Sequence, residues 1–559
     1  MTGDAGLRDW ENRFTERVDR FVAWLEKDHF PLFAVFLMVL AVAFARDLLE
    51  YYLLDSEFVT TAHPWIFSIA HHLSFYVVVF MGLVFLLSAF SGRGVRRSIN
   101  YVSTFYWIII LPPILDYLAG TRQNYAYFSW TDFLNALFHF SGAGFHIGQA
   151  IEVVVILFAL FAYTIWTQRA ALFTVKDRVV TVVRIALLVI FTFVFMFFMG
   201  TPAAFLPVDP LTFPNFESTR YYQYHLLFFA YYLTAGVVLA LALTYLATKG
   251  NFRNVVRSMR PPQTLFFGMI VVAGVAIGWQ LSSSVDLVTQ ILQTPYWVNL
   301  AFAGIAIIAS LMAWQASTIW NDVSDRESDE PRRSDRLVAA GYIENSILVQ
   351  VSLILASVSL LCSLLLSWAQ GLIIAIILAL SFIYSFKPVR FKTHILSPML
   401  IGLGTFFAFI FGYVTPYSVV AMVDGTQGPI PYLTGDVQMP ALTPEGFFLG
   451  FFMFAGLVIG SMVTDIEGYQ EDARAGVRTI YTVIGLERGK KVVSLLIFLG
   501  SLMPLYLFSS LIDVLVFPLL GLAAALLFWR KGSSRPVIVL ALVGLVYAAL
   551  SYLGQLGLT

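Results

Sequence analysis

Apolar residues run along this chain in long uninterrupted stretches that are separated by short polar segments. A helix of about 20 apolar residues spans a hydrocarbon core of about 30 Å, and a helix satisfies its own backbone hydrogen bonds there. The pattern therefore predicts an all-α protein that crosses a membrane fifteen times. The predicted spans are 31–54, 66–90, 101–119, 147–167, 182–204, 222–247, 263–281, 297–320, 346–366, 370–386, 395–415, 446–464, 490–511, 514–530 and 535–556.

The positions of the basic residues predict the orientation of these spans. If the N-terminus lies inside, 31 of the 34 Lys and Arg residues fall in inner segments. The exceptions are Arg46, within the first span, and Arg122 and Arg220, in outer loops. Because cationic loops resist translocation, this asymmetry predicts a multi-pass protein of the cytoplasmic membrane with its N-terminus on the cytoplasmic side.

A polar, basic segment at 249–262 divides the predicted spans into two groups. Before it, residues 1–30 carry apolar side chains at helical spacing and predict an amphipathic helix on the membrane surface or packed on a loop. Residues 31–250 predict a transmembrane domain of about six spans whose function the sequence does not indicate. Residues 251–559 predict a second domain of nine spans.

Composition excludes several other classes of protein. Hydrophobic residues make up 59% of the 559 residues and charged residues only 12%, which is about half the charged share of a soluble domain. The formal net charge of zero gives no basic surface for nucleic acid. The single cysteine, Cys362, excludes intramolecular disulfides and cysteine-based metal sites within the chain.

The first chemically informative segment, 321–341, follows the eighth predicted span. It offers the oxygen ligands Asn321, Asp322, Asp325 and Asp329. Residues four apart share one face of a helix, so Asn321, Asp325 and Asp329 would line up along one wall. Hard oxygen ligands suit Mg²⁺, and the following Arg333 and Arg336 could bind phosphate oxygens.

Two further polar clusters follow later spans on the same predicted side of the membrane. A basic one supplies Tyr384, Lys387, Arg390 and Lys392, and an acidic one supplies Asp465 and Asp472. One such cluster is more often a solvated helix end than a site. Three clusters on one side would rarely arise by chance. Two carboxylate clusters on the same side are what a diphosphate needs, because metal ions held by each can neutralise it as a leaving group.

The C-terminal half resembles the UbiA superfamily of intramembrane prenyltransferases. The family's first aspartate motif is similar to 321–341, its YSxxPxRxK element to Tyr384–Lys392, and its second aspartate motif to Asp465–Thr479. The chain departs from the family where Ser334 and Leu337 replace two prolines and where the interior of the second motif differs. These departures leave the acceptor and the full ligand set of the second motif open.

The resemblance implies a nine-helix UbiA-like bundle and Mg²⁺-dependent transfer of an isoprenoid from a prenyl diphosphate to a lipophilic acceptor within the membrane. It assigns catalytic roles to Asp325 and Asp465. Metal ligands would be Asn321, Asp322, Asp325, Asp329, Asp465 and Asp472, and diphosphate would bind Arg333, Arg336, Lys387, Arg390, Lys392 and Tyr384. Alternatives are the same fold with cyclase-like or phosphoribosyl-transfer chemistry, or a cation-coupled transporter. The acceptor and the prenyl chain length remain open.

Ionisable residues also gather in the outer halves of the first four predicted spans. They are Arg46, His71, His72, Asp116, His146 and Glu152. Intramembrane ionisable groups are costly, so they indicate function by default. The hypothesis is a second polar pocket, for an acceptor headgroup or a metal ion. The alternative is structural pairing, for example of Arg46 with Asp116, with histidines at headgroup level.

Overall fold

The structure is a computed structural model. It describes residues 3–54, 65–120, 131, 134–135, 146–169, 175–202, 205, 220–281, 296–325, 343–416 and 442–555. The segments between these ranges carry Asp329, Arg333 and Arg336, so the predicted roles of these three residues lie outside the described part of the chain.

The first half of the chain forms nine α-helices in the described ranges. They are α1 (Gly3–Leu25), α2 (Leu32–Leu54), α3 (Trp65–Phe90), α4 (Val95–Phe105), α5 (Leu111–Leu118), α6 (Ile147–Gln168), α7 (Val175–Gly200), α8 (Arg220–Thr248) and α9 (Phe252–Ser258). Short 3₁₀ segments, Tyr106–Ile110 and Lys249–Asn251, join α4 to α5 and α8 to α9.

The second half continues with eleven α-helices in the described ranges. They are α10 (Pro261–Leu281), α11 (Tyr296–Ser324), α12 (Asn345–Leu366), α13 (Trp368–Ser385), α14 (Ser397–Tyr413), α15 (Pro444–Asp465), α16 (Tyr469–Ala475), α17 (Ile480–Ile484), α18 (Leu486–Leu502), α19 (Leu511–Lys531) and α20 (Ser534–Gln555). The 3₁₀ segments Phe391–Thr393 and Met503–Tyr506 lie before α14 and after α18.

Every predicted span coincides with helix in the structure. Thirteen helical segments of the described chain are long and apolar enough to cross a membrane, and Ser397–Tyr413 and Ser534–Ala548 are shorter apolar helices at the two remaining predicted positions. The predicted all-α polytopic membrane fold is therefore confirmed. Which side of the membrane each loop faces stays a prediction.

The third predicted span departs from a regular helix. The α-helix ends at Phe105, continues as a 3₁₀ segment over Tyr106–Ile110 and resumes at Leu111. Pro112 and Pro113 occupy the first turn of the resumed helix. Proline has no backbone N–H and clashes with the preceding turn, so a helix running through this pair would lose hydrogen bonds. The tighter 3₁₀ segment is how the chain accommodates them.

The described chain divides into two compact units, of which the first contains the residues up to Ser258 together with 343–354. Its core combines α1 to α4 and α6 around fully buried side chains such as Val42 and Leu87. Helix α1 contributes Val22 and Leu25 to this core while Phe21 and Trp24 stay exposed. Helix α1 is therefore amphipathic. Its location on the membrane surface stays a prediction.

The second unit contains the remaining described residues from Met259 onward. Helices α10 and α14 approach very closely, because a Cβ at Gly274 or Gly278 would lie 2.3 Å or 2.2 Å from the carbonyl oxygen of Phe409 or Tyr413. Small residues permit such contacts between membrane helices. A second cluster, which includes Val463, Tyr481, Val493 and Phe528, packs α15, α17, α18 and α19 together. Two of its members, Val463 and Tyr481, lie within two residues of the ends of the second acidic motif in sequence.

Candidate active site

The first acidic motif occupies the C-terminal end of α11. The Asp325 backbone N–H donates to the Asn321 carbonyl oxygen at 3.1 Å, so these two residues stand one helical turn apart on the same face, as predicted from their spacing. Asp322 points elsewhere: it is 8% exposed and pairs with the guanidinium of Arg260. The metal-binding role of Asp322 stays a prediction.

Asp325 contacts both basic residues of the cluster that follows α13. Its Oδ1 accepts from Lys392 Nζ, and from Arg390 Nη2 at 3.2 Å. Lys392 also donates to the Ser324 hydroxyl at 2.9 Å, and Arg390 to the Ser324 carbonyl at 3.3 Å. A carboxylate predicted to hold metal and two cations predicted to hold phosphate thus lie together, although 65 to 67 residues separate them in sequence.

A tight turn between α13 and α14 positions these cations. Arg390 adopts a left-handed backbone conformation with φ of 43°, and its N–H donates to the Phe386 carbonyl at 2.8 Å. This conformation is unfavourable for a side chain with a Cβ, and such strain concentrates at functional sites. The turn directs Arg390 and Lys392 towards α11, whereas Lys387 in the same turn is exposed.

The second acidic motif is held by α15, α16 and the turn that follows. Asp465 is the last residue of α15, and Asp472 lies in α16. Gly476, at φ of 72°, ends α16 in a conformation that favours glycine. Thr479 then caps α17 by a reciprocal hydrogen-bonded arrangement with Thr482.

Tyr481 ties this motif to α15. Its hydroxyl donates to the Met462 carbonyl at 2.8 Å, and its side chain is fully buried. Burial, and secondarily the Asp465 carboxylate, raises the pKa of Tyr481 well above its ordinary value, so the hydroxyl stays protonated and donates. The turn after α16 also reaches the basic loop, since the Arg478 N–H donates to the Thr393 carbonyl at 3.0 Å.

These elements enclose a cavity of about 170 Å³. Four of the predicted site residues line it: Tyr384, Lys392, Asp465 and Asp472. Lys392 therefore joins the two acidic motifs, because it contacts Asp325 and also faces the cavity of Asp465 and Asp472. Among the residues described, no group of three His, Cys, Asp or Glu side chains is placed to hold a metal ion.

Sequence reasoning missed several polar residues of this site. His394, Ser461 and Arg478 line the cavity, and Arg260 pairs with Asp322. Arg478 and His394 stand within a few residues of recognised motifs, which is a weak signal for them. Ser461 lies inside an apolar run, one helical turn before Asp465, and only the helical period could have indicated it.

The residues proposed as a second pocket are all in the first unit. Arg46 pairs with Glu152 at 3.3 Å, and the Asp116 carboxylate accepts from the Gly148 N–H at 2.8 Å. His71 and His225 approach at 2.8 Å between their Nδ1 atoms. His146 is buried at the start of α6. Of the set, Arg46 and Glu152 contact each other directly, and His71 and His72 are neighbours in α3.

Comparison with known proteins identifies the second half. Residues 285–536 match the UbiA prenyltransferase family. This region belongs to that family. The resemblance stated from the motifs is thereby confirmed for what we call the UbiA domain, and no family matches the N-terminal half.

Relatives of the UbiA domain are distant. A digeranylgeranylglyceryl phosphate synthase from Methanosphaera stadtmanae is 27% identical over 182 residues, which are 32% of this chain and 56% of that relative. The chain thus spans little more than half the length of that relative. A solved UbiA homologue from Archaeoglobus fulgidus bound to DMAPP and Mg²⁺ is 16% identical with a TM-score of 0.35, covering 53% of this chain and 98% of its own. The same homologue bound to GPP and Mg²⁺ gives 15% identity and a TM-score of 0.37, covering 54% and 98%.

Proposed function

We propose that the UbiA domain transfers an isoprenoid group from a prenyl diphosphate to a lipophilic acceptor within the membrane, with Mg²⁺ as cofactor. One observation carries the proposal: Asp465, Asp472, Lys392 and Tyr384 line one cavity, and Lys392 also contacts Asp325. Carboxylates and cations around one cavity at the ends of apolar helices fit a ligand with an anionic head and an apolar tail.

Mg²⁺ fits the donor set of this cavity. It binds oxygen ligands and usually keeps several waters while sharing substrate phosphates, so one or two carboxylates suffice to hold it. Asp465 and Asp472 are such a pair, and Asp325 with Asn321 offers a second pair of oxygen ligands at the end of α11. Bound there, Mg²⁺ would stabilise the charge that develops on a departing diphosphate.

The remaining roles follow from position and charge. Lys392 and Arg390 bind diphosphate oxygens, exchanging part of their contact with Asp325 for contact with the substrate. Tyr384, whose side chain is hydrogen-bonded to that of Ser397, orients the head group from the other wall of the cavity. The apolar helices hold the isoprenoid tail and exclude water from the allylic cation that forms as the diphosphate departs. A nucleophilic atom of the acceptor then captures this cation.

The test is release of inorganic diphosphate by the full chain in lipid nanodiscs supplied with geranyl or geranylgeranyl diphosphate and a mixed acceptor pool. Prenylated lipid should appear by mass spectrometry together with diphosphate, EDTA should stop both, and excess Mg²⁺ should restore both. Full turnover in EDTA would refute the metal role. Absence of any prenylated product across all acceptors, with diphosphate still released, would instead favour cyclase-like chemistry.

A further inference from the structure

The first unit contains a cluster of ionisable side chains that shares no residue with the proposed prenyl-transfer site. Four membrane-spanning helices contribute to it. Arg46, Asp47 and Glu50 come from α2, His71 and His72 from α3, Glu152 from α6 and His225 from α8. We refer to these seven residues as the histidine–carboxylate cluster. Placing ionisable groups inside a membrane is costly, so such a cluster requires a functional explanation.

Arg46 is the central cation of the cluster. It is 2% exposed, and its guanidinium lies 3.3 Å from Glu152 and 4.0 Å from Glu50. It also donates to the Ile109 carbonyl at 2.5 Å and stands over the Tyr76 ring at 5.1 Å. Contacts on several sides therefore fix the position of Arg46, and its guanidinium pairs with two carboxylates.

Asp47 adds a third carboxylate and brings in the first histidine. Its Oδ1 lies 3.3 Å from His72 Nδ1, and the aspartate side chain is 1% exposed. Among the side chains that the structure describes, Arg46 and His72 are the basic groups in contact with these three carboxylates. With every carboxylate ionised and His72 neutral, the group would carry an excess of two negative charges. An excess of that kind is not stable at low dielectric, so protons must compensate it.

A pair of histidines adjoins this group. His71 Nδ1 and His225 Nδ1 are 2.8 Å apart, a distance at which one nitrogen must donate and the other accept. The pair therefore holds a proton between its two rings. The His71 ring centre is 4.7 Å from that of His72 and 5.0 Å from that of His225, so the three imidazoles form a row that begins beside Asp47.

Other titratable groups surround the cluster from the packed helices. They are Tyr76 on α3, Tyr106 in the 3₁₀ segment, Asp116 on α5 and Tyr232 on α8. The Asp116 carboxylate acts electrostatically on Glu50 and Glu152. It adds to the negative potential of the cluster and so favours bound positive charge. The His71 and His225 nitrogens at 2.8 Å already require a proton between them, so the geometry favours protons as that charge.

We propose that the histidine–carboxylate cluster is a proton-binding site of the N-terminal unit, in which one proton binds at the Asp47–His72 pair and another is shared across the His71–His225 hydrogen bond. When the pair carries one excess proton, transfer breaks the N–H bond on the Nδ1 of the imidazolium ring and forms it on the Nδ1 of the neutral ring, so the positive charge moves between the rings and no further reactant is needed. The inference is independent of the prenyl-transfer function.

The decisive measurement is infrared spectroscopy of the full chain in lipid nanodiscs. Exposed Asp and Glu are ionised at about pH 7, so a carboxylic-acid C=O band at that pH reports a protonated buried carboxyl. The band should be present in the wild type and should be lost or shifted in at least one of Asp47→Asn, Glu50→Gln and Glu152→Gln. The exposed Glu487→Gln variant in the other unit is the matched control and should leave the band unchanged.

Absence of the band from the wild type at about pH 7, together with a neutral His72 and a neutral histidine pair in the NMR measurement below, would overturn the proposal, and this outcome depends on no variant folding. A band that survives all three substitutions in folded protein would overturn it as well. Disappearance of the band on adding Na⁺, K⁺ or Zn²⁺ would identify a metal cation as the true occupant instead of protons.

The histidine pair has a test of its own. In protein with ¹⁵N-labelled histidine, solid-state NMR should resolve one protonated and one unprotonated Nδ1 in hydrogen-bonded contact between about pH 5 and pH 8. That signal should vanish in His71→Phe and remain in His29→Gln, because His29 is exposed and contacts the Trp24 carbonyl instead. Two Nδ1 atoms in the same protonation state, with no coupling between them, would contradict the shared proton.

Discussion

The two units of this protein both bring acidic and basic side chains together, but they do so in opposite ways. In the UbiA domain these groups stand at helix ends and in turns, around a cavity of about 170 Å³. In the N-terminal unit they stand within membrane-spanning helices and contact one another, as Arg46 does with Glu50 and Glu152. Charged side chains that line a cavity can bind a charged ligand. Charged side chains that are buried against each other need their net charge neutralised within the cluster. This difference underlies our two proposals, a substrate site in the first case and a proton site in the second.

The largest effect is expected from removing the buried cation of the N-terminal unit. Arg46→Met leaves two carboxylates without their shared partner, and breaking a buried ion pair in this way costs about 3–5 kcal/mol. The midpoint of thermal unfolding in detergent should therefore fall strongly. Adding Glu152→Gln to Arg46→Met should recover part of the loss, because it removes one of the two stranded charges. If Arg46→Met is as stable as the wild type, Glu50 and Glu152 do not depend on Arg46 for charge compensation.

A slightly smaller effect, on the rate of catalysis, is expected from replacing the cavity carboxylates of the UbiA domain. Asp465→Asn or Asp472→Asn should lower the rate of diphosphate release by about 10²–10³-fold, as loss of charge stabilisation at a leaving group does. Thermal stability should change little, since both carboxylates face a cavity. Glu487→Gln, an exposed carboxylate of α18, serves as the control. Unchanged rates of diphosphate release in both aspartate variants would show that the cavity carboxylates take no part in the reaction.

Lys392 should contribute an intermediate effect on substrate binding. Removing a charge-assisted hydrogen bond costs about 1.5–3 kcal/mol, so Lys392→Gln should raise KM for the prenyl diphosphate by about 10–100-fold. The exposed Lys491→Gln is the matched control, because it removes the same charge from α18. A fall in kcat with KM unchanged would show that Lys392 acts through its contact with Asp325 and not through the substrate.

The smallest effect is the one that tests whether the two units work independently. His72→Gln alters the proton site and, on the interpretation above, leaves diphosphate release within about twofold of the wild type, because His72 belongs to the other unit. The assay is the same diphosphate release in nanodiscs, with Asp465→Asn as the positive control for loss. If diphosphate release by well-folded His72→Gln fell by more than about tenfold, the histidine–carboxylate cluster and the prenyl-transfer site would have to act together.

The amino-acid sequence by itself determined the spans and the chemistry that the helix ends could offer. Spans follow from sequence because each helix satisfies its backbone within its own segment, so an apolar run of sufficient length is enough. The acidic and basic motifs of the UbiA domain were also readable, because their spacing carried the resemblance to the family.

Only the tertiary structure decided which acidic side chain contacts which basic side chain. Asp325 and Lys392 are 67 residues apart, and Arg46 and Glu152 are 106 apart, so no local period relates them. The same holds for His225, whose contact with His71 depends on how α8 packs on α3. Side-chain pairing between helices depends on their rotation and crossing, which many residues set jointly by packing. An apolar run specifies that a helix forms, but the partners of its polar residues are specified by the helices around it.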